Sequence, residues 1–581
     1  MQGNPTILRE PSFVVLRAES DRREAKRETG NLWRDGDVCV ELRVGEEGVH
    51  IELIGHRSPV THVELHWSQA MPVDGLFLSD HWERSYGDLG WRGMEPDRPM
   101  PWYFLLAQGA RTYGAGVRTG CAALCWWDAG PQAAVLTLDV RSGGLGIRLG
   151  GRRLLAAEVV ESVSKEGESA FQFARRFARM LCSDPLLTKE PVYGANNWYY
   201  AYGQSSQEQI LADTEETSSL CSNSQNRPFS VIDMGWEDVD CREGSHWRRG
   251  NARFPNMAGL ADRIRDLGAR PGIWYLPLLA MESVDPRWTL PFRKSLVGPA
   301  ETVLDPTVPD VLERIRGDVE TMKRWGYELI KHDFSTYDAL GRWGFDMVDT
   351  ITDGSWVFQD RTLTTAEVFL RLYRTIGEAA GGALVMGCNT FGHLCAGNVH
   401  LQRIGDDTSG REWERTRKMG VNAFGLSRPS ARGVLSRGCR LRGNHRGNPL
   451  GVQSAMARIG GCQRHPALRV RAGRHPLGAS ASGASRRFHA GLPPAASGRA
   501  AGLDAHKLPG PLDLREQDSR MGLVQRNRAS GGWRTGRGVA GKSPAVPKEL
   551  RQPRRAQRTA TPPSFSMPGG YGRKSQRPCA A

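Results

Sequence analysis

The strongest constraint on this chain is a rhythm that runs from Val192 to Ser427. Short apolar runs ending in polar or aromatic residues alternate with amphipathic stretches of helical period. The runs are VYGANNWYYAYG, RPFSVIDMGWED, ARPGIWYLPLLA, YELIKHDFST, ALVMGCNTFG, VHLQRIGDDT and VNAFGLS. Between them stand MAGLADRIRDLG, PDVLERIRGDVETMKRWG and AEVFLRLYRTIGEAAGG, whose apolar residues recur every three to four positions. Strand and helix in alternation imply parallel pairing, because a helical crossover returns the chain to the same end of the sheet. Seven such units over 192–427 fit a (β/α)8 TIM-type barrel better than an open sheet. The expected fold class is therefore α/β. The barrel is expected over residues 186–427 without its last strand, and with its chemistry at the C-terminal strand ends.

Residues 1–185 read differently. VCVELRV, VHIELIG, VTHVELHW, AAVLTLDV and LGIRLGG are short and mostly alternate apolar with polar residues, as half-buried antiparallel strands of a sandwich do. CAALCWW reads as a buried strand, SAFQFARRFARMLC as a closing helix, and SDPLLTKEP as a linker. The order expected is a β-sandwich domain before the barrel.

Beyond Ser427 the pattern stops. Residues 428–581 hold 26 Arg and 4 Lys against 3 Asp and 2 Glu, a charge of 30 − 5 = +25. The chain as a whole carries +15, so residues 1–427 carry −10. Only Phe488, Trp533, Phe565 and Tyr571 are aromatic in that tail. Such a composition buries too little apolar surface to offset the entropy of ordering, so disorder is expected. One reading is a basic nucleic-acid-binding arm. The preferred one is a frameshift product, since GC-rich DNA out of frame yields Arg, Gly, Pro, Ala and Ser. Permissible codons for GVLSRGCRLRGNH, Gly433 to His445, spell VFYRGDADCVGI when read one base later, an apolar-then-acidic run like the absent strand. Nucleic acid is accordingly not the expected partner.

The eleven Cys include no CxxC pair and no paired zinc-ligand spacing. The nearest two are Cys121 and Cys125. Scattered reduced thiols are expected, with no metal and no organic cofactor. The first residues lack the apolar core of a signal peptide, and no stretch approaches the ~20 apolar residues of a membrane span. The expected location is the cytoplasm.

Three of the runs end in carboxylates: Asp233, Asp333 and the pair Asp406–Asp407. One such Asp is as often a helix cap as anything else. Two of them, however, have a cation at even spacing, Lys331 before Asp333 and Arg403 before Asp407, and residues two or four apart on a strand share a face. Two carboxylates, each near a cation, are the inventory of glycoside hydrolysis. Trp198, Trp236 and Trp274 are placed to stack on sugar faces, although core packing is the commoner use of indoles.

At these residues the chain resembles the α-galactosidase clan of glycoside hydrolases, closest to family 36, over about 1–426. The resemblance implies a β-sandwich before a (β/α)8 barrel. KHDFST resembles the KxD segment, which would make Asp333 the nucleophile and Lys331 a ligand of sugar hydroxyls. RIGDDT resembles the RxxxD segment, which selects Asp407 over Asp406 as general acid/base with Arg403 beside it. NNWYYAYG and PGIWYLP are similar to the Trp segments of the first and third strands, giving Trp198 and Trp274 to the substrate site. MGCN resembles the fifth-strand cysteine segment, giving Cys388 and Asn389. SDHWERSYGDLGW is similar to the sandwich segment whose Trp reaches the site, here Trp82. The chain departs from the family at IDMG, where IDDG is usual. Asp233 remains, but Met234 cannot accept hydrogen bonds from the sugar 4- and 6-hydroxyls, and galactose selectivity falls into doubt.

The residues and the resemblance together imply a retaining glycosidase of α-galactoside-like oligosaccharides or glycosides. The alternatives are a transglycosidase of the same superfamily, an inactive product of a truncated gene, or nucleic-acid binding by the tail. Assembly into a homo-oligomer is left open.

Overall fold

The computed structural model describes residues 10–404 with short internal breaks, together with Asp407, Arg417, Leu441–Gly443 and Leu468–Val470, all inside a unit spanning Met1–Lys507. The alternating N-terminal runs form two antiparallel sheets. One has six strands, centred on Phe13–Arg17, His62–Trp67, Ala134–Asp139 and Leu124–Ala129. The other has eight, with Val38–Val44, Val49–Gly55, Arg153–Val163 and Arg111–Val117 at its middle. Both contribute to one apolar core. Phe104 of the larger sheet meets Trp127 of the smaller at 5.5 Å between ring centroids, and both rings are fully buried. LGIRLGG is corrected: it pairs only through isolated bridges, Leu145 with Ser142 and Ile147 with Val60. Its three glycines favour turns over a continuous ladder.

The closing helix is Ala170–Leu181, started by a capping box in which Ser169 and Gln172 satisfy each other's backbone N–H. Phe173, Phe177 and Leu181 form its buried face and lie on the Arg111–Val117 strand. Gly114 and Gly116 of that strand permit the approach, since a Cβ on Gly116 would come within 2.7 Å of Leu181.

From Gly194 onward the main sheet is parallel throughout. We label its strands β1 (Gly194–Asn196), β2 (Phe229–Ile232), β3 (Arg270–Tyr275), β4 (Leu329–His332), β5 (Leu384–Gly387), β6 (Leu401–Gln402), β7 (Leu441–Gly443) and β8 (Leu468–Val470). The spatial order is β6-β5-β4-β3-β2-β1-β8-β7. β2 and β4 are buried at every position, as strands covered on both faces must be. The amphipathic segments form the helices Met257–Asp266, Pro309–Arg324 and Thr365–Ala380. Each begins as its sequence dictates, with an Asn256 cap, a Pro309 first turn and a Thr364–Glu367 capping box respectively.

Two further short strands join the sheet from beyond Ser427. β8 lies beside β1, and β7 lies beside β8, so the region beyond Ser427 is not wholly irregular. Three-residue strands carry no readable period, and the open edge of β1 supplies the pairing groups that select them. VNAFGLS, Asp406 and nearly all of 428–581 lie outside the described residues. Among the described residues no helix is long and apolar enough to cross a membrane.

Candidate active site

The site is built where β1 to β6 end. β1 closes on Asn196, and the residue after β2 is Asp233. Asn196 Nδ2 donates to Asp233 Oδ2 at 2.8 Å, and Lys331 Nζ, from β4, donates to the same oxygen at 2.7 Å. Asp233 Oδ1 accepts from the Met234 backbone N–H at 3.0 Å, and Asn197 Oδ1 accepts from the Asp233 N–H at 2.7 Å. Lys331 and Asp233 are both 3% exposed. Burial alone would lower the lysine's pKa. The carboxylates Asp233 and Asp333 outweigh it, and the net shift is upward, so the amine stays charged. Lys331 thus spends its direct hydrogen bond on Asp233, not on Asp333 as its two-residue spacing suggested. The turn that delivers Asp233 needs Gly235: its φ is +107°, and a Cβ would run into the Gly203 backbone.

Asp333 follows β4 and is 6% exposed. Its Oδ2 accepts from Trp274 Nε1 at 3.1 Å and its Oδ1 from the Phe334 N–H at 2.9 Å, so N–H groups solvate both oxygens. Phe334 holds a left-handed backbone with φ 55°. For a bulky side chain this stores on the order of 1–3 kcal/mol, of the kind found at active sites. Trp274 is itself buried, and its carbonyl accepts from Trp236 Nε1 at 2.9 Å. Trp236 is fully buried, so core packing, not sugar stacking, describes it.

Arg403 follows β6 and is anchored by its N–H to the Gly387 carbonyl at 3.0 Å. Its guanidinium donates to Cys388 Sγ at 3.3 Å and pairs with Asp407 Oδ1, as the four-residue spacing implied. The other Asp407 oxygen accepts from Trp198 Nε1 at 3.1 Å. Trp198 opens a one-turn helix directly after β1, which carries its indole across to the far strand end. Burial pushes the Cys388 thiol upward, so it remains neutral. Unlike Asp333, the Asp407 side chain is 41% exposed. One carboxylate is enclosed and the other meets solvent. Each is gripped by an indole N–H.

The sandwich contributes Glu83, a residue that sequence reasoning passed over for its neighbour Trp82. Glu83 is fully buried. Its oxygens accept from Thr336 Oγ1, from Asn389 Nδ2 at 3.1 Å and from the Gly344 N–H at 3.3 Å. Burial pushes its pKa up to about 7 against these hydrogen bonds, with the Asp333 charge adding to the rise. Trp82 instead donates Nε1 to the Val348 carbonyl at 3.1 Å and packs against Trp126, Phe391 and His393. Cys388 and Asn389 are 1% and 4% exposed, and the Asn389 carbonyl accepts from Ser335 Oγ at 3.0 Å. The signal for Glu83 was an acid set directly beside an aromatic anchor.

Carboxylates at the strand ends of a parallel sheet, braced by a preceding double sheet, define a carboxylate-based site on an α/β scaffold. No family model matches the chain, and no curated protein matches it. Solved structures do. The chain is similar to the α-galactosidase of Thermus thermophilus in complex with p-nitrophenyl α-D-galactopyranoside, with 19% identity over 78% of this chain and 92% of that one, at a TM-score of 0.51. It is similar to a variant of a family 36 α-galactosidase of Geobacillus stearothermophilus in complex with 1-deoxygalactonojirimycin, with 15% identity, 84% and 76% coverage and a TM-score of 0.54. The α-galactosidase of Lactobacillus brevis gives 14%, 83% and 73%, and 0.51. At these identities the shared property is the fold.

Proposed function

We propose that the chain is a retaining glycoside hydrolase of α-galactoside-like substrates, with its parallel sheet closed as a (β/α)8 barrel. The observation that carries this reading is the pair of unlike carboxylates, Asp333 enclosed and Asp407 open, each held by an indole N–H. Asp333 attacks the anomeric carbon as the bond to the leaving oxygen breaks, and Asp407 gives that oxygen its proton. Asp407 then takes a proton from water, whose oxygen displaces Asp333 and releases sugar with retained configuration. The carboxyl groups of such a pair stand about 5–5.5 Å apart. Arg403 orients Asp407. The Lys331–Asp233 pair and Asn196 offer donors and acceptors to sugar hydroxyls. Eight described free thiols fit a reducing compartment, the cytoplasm.

The test uses p-nitrophenyl α-D-galactopyranoside. By NMR the first-formed galactose is the α-anomer, and β-galactose first would refute retention. Asp333→Ala should lower turnover by at least ~10³-fold. Added azide should restore it, yielding β-galactosyl azide as the small nucleophile fills the vacated place. Rescue of Asp407→Ala with an α-azide product would be the converse sign of an acid/base residue.

A further inference from the structure

Cys121 and Cys125 flank the turn that enters the Leu124–Ala129 strand of the sandwich. His393 belongs to the one-turn helix Gly392–Cys395 that follows β5. Folding brings the three together: the two Sγ atoms and a ring nitrogen all lie within 4.8 Å of one another, and all three residues are buried. A second, independent observation concerns the imidazole. Both His393 ring nitrogens are buried, and the polar group that reaches the ring is the Cys121 thiol itself. The ring lies among Trp102, Trp82 and Phe391, with centroids 6.1–6.3 Å away, surfaces that offer an imidazole N–H no oxygen. A buried imidazole whose polar neighbours are thiols calls for an explanation.

We propose that Cys121, Cys125 and His393 bind a thiolate-preferring divalent cation, zinc in the first instance. Two thiolates and one imidazole suit zinc, whereas magnesium and calcium select oxygen ligands. The Ala123 carbonyl accepts from Cys121 Sγ at 3.1 Å. The site is structural. The Gly120 N–H already donates to the His393 carbonyl at 2.8 Å, and the Gly392 N–H to the Trp82 carbonyl at 3.0 Å. The cation would fasten this seam between the sandwich and the loop after β5, which also carries Cys388 and Asn389. The expectation that the chain has no metal ligands rested on sequence spacing, and His393 stands too far along the chain for spacing to register it. This inference is independent of the reaction proposed above.

The test uses the full 581-residue chain, purified with zinc and dialysed. Elemental analysis should find about one zinc per chain, and replacement by Co2+ should give thiolate-to-cobalt charge-transfer absorption with tetrahedral d–d bands. The tail holds Cys439, Cys462 and Cys579, so two variants localise the signal. Cys439→Ser/Cys462→Ser/Cys579→Ser should keep the charge-transfer band, and Cys121→Ser/Cys125→Ser should lose it. The reverse pattern overturns the proposal. Because either serine can loosen a buried seam, the unaltered protein supplies an arm of its own. Its melting temperature should rise on adding zinc and fall again with chelator. No retained zinc, no cobalt band and no thermal shift would overturn the site, as would a Cys121–Cys125 disulfide found by mass spectrometry.

Discussion

At Glu83 the sandwich places a buried carboxyl against the wall of a site assembled by another part of the chain. Its pKa of about 7 lies above the ordinary 4.5, so the folded state holds the proton more tightly than the unfolded state does. The linked stability is complete at low pH and is lost as pH rises toward 7, at ~1.4 kcal/mol per pH unit over that interval. Glu83→Gln should flatten this part of the profile, removing up to about 3 kcal/mol of pH dependence. Denaturant midpoints at about pH 5 and pH 7.5 measure it, and an unchanged slope in the variant would discount the assignment. Met234 poses the second question at this scale. Met234→Asp supplies the acceptor that IDMG lacks, and the ratio of α-galactoside to α-glucoside hydrolysis should rise by about tenfold or more. The residues that bind each other here were partly readable in advance. The Arg403–Asp407 pair follows from spacing, but Lys331 chose Asp233 because both are buried and neither carries its charge cheaply alone.

At the scale of elements, helix starts were the most legible part of the chain. Thr364 and Glu367 cap the Thr365–Ala380 helix in the way their three-residue spacing implies. The fold adds a second task to the same hydroxyl, which donates to the Ala122 carbonyl of the sandwich at 2.7 Å. Thr364→Ala should therefore cost about 1–2 kcal/mol in urea unfolding, with turnover unchanged. A loss of turnover without loss of stability would contradict a purely structural role. Strands β1 to β6 were legible because each ends an apolar run, whereas LGIRLGG imitated a strand in composition and lacks the ladder. The two three-residue strands beyond Ser427 were invisible, since nothing so short has a period.

For the molecule as a whole, β8 decides how much of the tail matters. It covers the outer edge of β1. Removal of 428–581 should uncover that edge and give concentration-dependent aggregation in light scattering, while removal of 508–581 alone should leave a monodisperse protein. Equal behaviour of the two truncations would show that β8 contributes nothing to the edge. The net charge of the chain, +15, conceals an acidic body of −10, and that body contains every residue of the candidate site.

The amino-acid sequence by itself determined the periods, the helix starts, the two-part order of sandwich before parallel sheet, and the carboxylates at the strand ends, because these depend on neighbours a few residues apart. Tertiary structure alone decided which groups meet: Glu83 with Asn389, Trp198 with Asp407, Lys331 with Asp233, and Cys121 and Cys125 with His393. Such partners are set by how buried polar groups find their hydrogen bonds across distant strand ends, and local spacing carries no record of that.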